Sequence, residues 1–150
     1  MNLTHNYDKF VNEHNEFIKS LSEELGYEEN DPTVVRILRS VLHKLRDRIT
    51  IQHSFHLLSN LPAFLKLYYI ESWKYHNKPV KFHSTEEFHK AVEDELFQLG
   101  EKEFKSEKTT GEIVNIVLNA LRTYFDESTI QKIFAELPPA LYPLFENNEE

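Results

Sequence analysis

His53 and His56 stand three residues apart in the chain. On a helix that spacing turns both imidazoles to one face, the first requirement of a two-histidine metal site. Glu86 and His89 have the Glu-x-x-His spacing of di-iron helical bundles. Those bundles carry the motif twice and add two further Glu on facing helices. Here the motif stands once, at the solvent-prone start of a helix. Surface histidines satisfied by water and neighbours therefore account for the pattern. No metal or other cofactor is expected, His53 and His56 being the metal candidates that remain.

A second pattern is basic. Arg36, Arg39, His43 and Arg46 fall at i, i+3, i+7 and i+10, one face of a helix. Such a stripe suits an anion or an acidic partner. More often such a stripe is a solvated helix face whose charges pair locally, here with Asp47 or with the acidic second half of the chain. A third pattern is aromatic: Phe64, Tyr68, Tyr69, Trp73, Tyr75 and Phe82. Tyr and Trp join apolar area to a polar handle, so they line ligand pockets and also fill helix seams. Taken together, Arg36, Arg39, Tyr69 and Trp73 form the candidate site for a small apolar or anionic ligand.

Hydrolytic sets are poor. His53 and Ser54 are neighbours and point about 100° apart on a helix. The chain holds no Gly-x-Ser-x-Gly, phosphate-binding glycine loop or dinucleotide fingerprint. With no Cys there is no thiol nucleophile, thiolate metal site or disulfide. No catalytic residue is assigned, and an enzyme is less expected than a binding or structural protein.

The elements that must position these residues are helical. Val11, His14, Phe17/Ile18, Leu21 and Leu25 form a stripe of period 3.6 that ends at Gly26. Asp31-Pro32 opens the next helix, with Val34, Leu38, Val41 and Leu45 inward. Thr50 caps a third helix, and Pro62 breaks it and starts a fourth. In that fourth helix Leu65, Tyr69 and Trp73 share a face, and Phe64, Leu67, Tyr68 and Ile70 fill most of the rest. A helix apolar on most sides is expected to be buried on most sides. Further on, Ser84 with Glu87 and Thr109 with Glu112 are capping boxes. Period-2 alternation and hairpin turns are missing, so the expected class is all-α.

The order repeats. Leu45 and Leu121 are 76 residues apart, as are Leu61 and Leu137, and Asp126 stands where Thr50 stood. The expected architecture is a single domain over residues 1–150. It holds two tandem similar units, about 6–75 and 84–146, of three to four helices each, packed into one helical bundle. One unit alone cannot cover its apolar faces. The basic stripe and the His53/His56 pair belong to the first unit only.

The pattern resembles the bacterial domain of unknown function family 2267. The residues that carry the resemblance are Phe17 and Gly26, then Val41, Leu42, Leu45 and Arg46/Arg48, then Leu61-Pro62. In the second unit they are Phe88 and Gly100, then Val117, Leu118, Leu121 and Arg122, then Leu137-Pro138. Tyr68-Tyr69 followed by Trp73 is also similar, with Ser72 where Gly is expected. The resemblance covers roughly residues 7–146 and implies the tandem helical fold. It implies no activity.

The net charge of −8, nearly all of it in residues 76–150, disfavours nucleic acid and anionic membranes. No signal peptide or membrane span is read, and a cytoplasmic protein is expected. The leading functional reading is a non-enzymatic helical protein-interaction or structural domain, with an unknown protein partner or as a homodimer. The alternatives are a ligand sensor with its site at the seam between the units and, last, a metal-dependent enzyme.

Overall fold

The computed structural model describes residues 3–74, 78–100 and 107–136. Seven helices and no strand are found among them: α1 (Leu3–Leu25), α2 (Pro32–Arg48), α3 (Ile51–Asn60), α4 (Ala63–Ile70), α5 (Thr85–Gln98), α6 (Thr110–Arg122) and α7 (Glu127–Glu136). The protein is all-α. Tyr75 and the segment with Leu137-Pro138, Leu141, Leu144 and Phe145 lie outside the described residues.

The helix starts follow local side-chain chemistry. Asp31 accepts from the Thr33 amide at 2.9 Å, with Pro32 in the first helical position of α2. Thr50, Ser84 and Thr109 accept from the amides three residues on, those of His53, Glu87 and Glu112. Asp126 accepts from Thr129 at 2.7 Å. Each satisfies a donor that the first turn leaves open. α1 ends in a Schellman turn. Gly26 sits at φ 84°, and the Tyr27 amide donates back to the Ser22 carbonyl at 3.0 Å.

α2 is the central helix, contacting α1, α4, α5 and α6. Val34, Ile37, Leu38, Val41, Leu42 and Leu45 are all buried on it. α1 packs on α6, α5 on α6, and α3 on α7. Phe88, Val92 and Leu96 of α5 and Ile113, Val117 and Leu121 of α6 complete the core. The segment before α5 is tied down, since the Val80 amide donates to the Asp47 carbonyl at 2.8 Å. Phe82 is buried edge-on to Phe88, with ring centres 5.3 Å apart.

α4 departs from the expected helix covered on most sides. Phe64, Leu65 and Tyr69 are buried, but Leu67 is 66% and Ile70 45% exposed. The reason is its length. α4 stops at Ile70 after eight residues, and the chain turns at Ser72 with φ 54°. Trp73 therefore leaves the helix and meets Tyr69 edge-on, ring centres 5.6 Å apart. A left-handed backbone costs a residue with a Cβ about 1 kcal/mol. This is the position where the family resemblance leads one to expect Gly. Among the described residues, no helix is long and apolar enough to cross a membrane.

Candidate functional site

The C-terminal end of α4 lies against α2, and the basic stripe of α2 receives it. Helix C-termini present carbonyls without intrahelical partners. Arg46 takes two of them: its Nη1 donates to the Tyr69 carbonyl at 2.6 Å and to the Glu71 carbonyl at 2.8 Å. Its guanidinium lies 5.8 Å from the centre of the Trp73 ring, a cation–π contact. Arg46 is only 6% exposed, and burial lowers its pKa against the opposing pull of Asp47, Tyr69, Glu95 and Glu71.

One turn earlier, His43 is 2% exposed. Its Nδ1 lies 2.9 Å from the Glu95 carboxylate of α5, and its Nε2 lies 2.9 Å from the Tyr68 carbonyl. Lys44 adds ion pairs to Asp47 at 3.2 Å and Glu95 at 3.7 Å. Arg39 forms an ion pair with Glu71, its Nε donating at 2.8 Å. The Tyr69 ring runs into the core, and its hydroxyl meets the Ser54 hydroxyl at 2.7 Å.

The four ligand candidates thus divide. Arg39, Tyr69 and Trp73 gather where α4 ends. Arg36 lies apart, its guanidinium over Gly100 at the end of α5, where a Cβ on the glycine would sit 3.8 Å from Cζ. Around α4's end, Arg39, Lys44 and Arg46 face Glu71, Asp47 and Glu95. Each of these cations already has a carboxylate partner, so an anion arriving here would compete with Glu71, Asp47 and Glu95. The stripe was expected on a solvated face; His43 and Arg46 are instead covered by α4 and the turn after it.

Glu71 and Glu95 are the partners that reading the sequence did not single out. Glu95 belongs to the acidic run Glu93-Asp94-Glu95, which suggests solvent. Its place directly before the buried Leu96 and three after the buried Val92 is the signal that sets it apart. Burial acts to raise its pKa. The His43 hydrogen bond and the charges of Lys44, His43 and Arg46 outweigh burial and hold it below the ordinary 4.5. A carboxyl depressed in the folded state stabilises above its unfolded pKa, and that share is lost as pH falls through the folded value. Resistance to urea unfolding is therefore expected to weaken as pH falls below about 4.5. Glu95→Gln should remove part of that slope, and an unaltered slope would rule Glu95 out as the group responsible.

His53 and His56 lie side by side on α3, their rings tilted at 46° with centres 6.0 Å apart. No group of three or more His, Asp or Glu able to hold a metal is found among the described residues. His89 packs over Gly111 at the start of α6, where a Cβ would come 3.0 Å from its Cε1. Burial lowers its pKa against Glu86 and Glu93. Between α1 and α6 lies a cleft of about 230 Å³ lined by Phe17, Ser20, Glu24, Asn119 and Thr123 among others. That is below the roughly 300–1,000 Å³ of sites for drug-sized ligands.

A family model described as "Uncharacterized conserved protein (DUF2267)" matches residues 14–144. No curated protein matches the chain.

Proposed function

The chain belongs to the DUF2267 family of uncharacterized conserved proteins, and from that premise and the geometry above we propose a non-enzymatic helical module that works through protein contacts. The observation that carries this reading is the internal use of the basic stripe. Arg39, His43 and Arg46 bond to Glu71, Glu95 and the last carbonyls of α4. An anionic ligand there would have to displace those partners and leave buried groups unpaired. The stripe acts as the clasp that holds α4 to α2.

The module is built from two similar units. Support comes from caps at matched places, Thr50 with His53 and Asp126 with Thr129, each pair 76 residues from its counterpart. Reciprocal packing adds to it: α1 lies on α6, α2 on α5, and α3 on α7.

Trp73 is the only Trp, and it sits on the clasp. Titration with palmitate, octanoate, citrate or inorganic phosphate is expected to leave its emission unchanged, while urea unfolding shifts it. A saturable change with Kd below about 100 µM, a binding free energy of about 5.5 kcal/mol, would overturn the proposal in favour of a ligand-sensing seam.

A further inference from the structure

α1 outruns the bundle. Its second half buries Ile18, Leu21 and Leu25. From Asn6 to Asn12, every residue is exposed. The apolar stripe nevertheless continues: Tyr7 and Phe10 stand in line with His14, Phe17 and Leu21, at alternating spacings of three and four, with Val11 beside Phe10. His14 marks the edge of cover. Its Nε2 lies 2.8 Å from the Tyr68 hydroxyl oxygen, and its ring meets Phe64 edge-on at 5.5 Å. Before it in the chain, Tyr7 is 68%, Phe10 47% and Val11 37% exposed. On α4, Leu67 follows Phe64 by three residues and borders the same side, 66% exposed.

A helical stretch of two to three turns is marginal on its own in water and gains stability from packing its apolar face. The size of the patch points to what covers it. At about 200 Å² for an aromatic side chain and somewhat less for Val and Leu, the exposed parts of these four residues come to roughly 350 Å² of apolar area. With the usual apolar share of about three fifths, that corresponds to roughly 600 Å² per copy. Two copies would bury about 1,200 Å², at the lower end of specific interfaces. A twofold contact uses one patch on both sides, so no second surface has to be found. We propose that this face is a homodimer interface, in which the exposed halves of two α1 helices pack antiparallel and Leu67 of each copy closes the edge. The inference rests on the protein-contact role proposed above and specifies its surface and its partner.

The test is mass against concentration by sedimentation and light scattering. From about 1 µM to about 500 µM, a range that brackets a weak interface of this size, the mass is expected to rise from 17.9 kDa to about twice that. Phe10→Glu should hold the protein at the lower mass throughout, with its melting curve at low concentration unchanged. Leu67→Gln, on another helix, should weaken association in the same way. Phe97→Glu alters an equally bare aromatic on α5, 66% exposed, and should leave the dimer intact. A monomer at every concentration, or a dimer indifferent to Phe10→Glu and Leu67→Gln, would overturn the interface. Neither outcome touches the protein-contact role, which a Trp73 ligand response would overturn without affecting the mass.

Discussion

Arg46→Ala is expected to destabilise the fold by about 3–5 kcal/mol, the range for removing one member of a buried charged network. Three losses coincide. The carbonyls of Tyr69 and Glu71 lose their donor at the end of α4. Trp73 loses the cation beside its ring, and the surrounding carboxylates Asp47, Glu71 and Glu95 lose a compensating charge. For a chain of this length the melting temperature should fall by about 6–20 °C. Lys90→Ala is the matched control. Lys90 pairs with Asp94 across an exposed turn, the side chains 74% and 65% exposed, and its loss should leave the melting temperature where it was. A small effect of Arg46→Ala would mean that α4 is held by its apolar face alone.

Phe88→Ala carries the second large effect, also about 3–5 kcal/mol. Phe88 is 1% exposed on α5 and meets Phe82 edge-on. Removing the ring opens a cavity in the layer where α5 lies on α2, and it strips the buried Phe82 of its neighbour. Phe17, the aromatic that the proposed two-unit reading pairs with Phe88, is half-buried against Phe64 and Tyr124. Phe17→Ala should therefore cost less than Phe88→Ala in the same chemical denaturation series. Equal costs would show that burial does not rank these two positions.

What the sequence made legible is chiefly local. The five helix starts at Asp31, Thr50, Ser84, Thr109 and Asp126 were readable because a cap is a short-range event between a side chain and an amide two or three residues on. The inward residues of α2, α5 and α6 were readable because apolar period survives any packing partner. The clasp was not. Arg39, His43 and Arg46 were visible as a stripe, but their partners are 23 to 52 residues away and are partly backbone carbonyls, which no side-chain pattern announces. The bare side of α4 was missed for a related reason. Composition says that a helix is apolar, while its short length and the left-handed turn at Ser72 decide how much of it is covered.

The crosswise packing of α1 on α6 and of α2 on α5 bears on the order in which the chain is made. When synthesis has passed α4, the helices that must cover α1 and α2 do not yet exist. At about 5–20 residues per second, the stretch from the end of α4 to the end of α6 takes a few seconds. For that time Leu21, Val41 and Leu45 lack the neighbours that later bury them. A nascent chain of this design emerges with apolar faces bare until its second half follows.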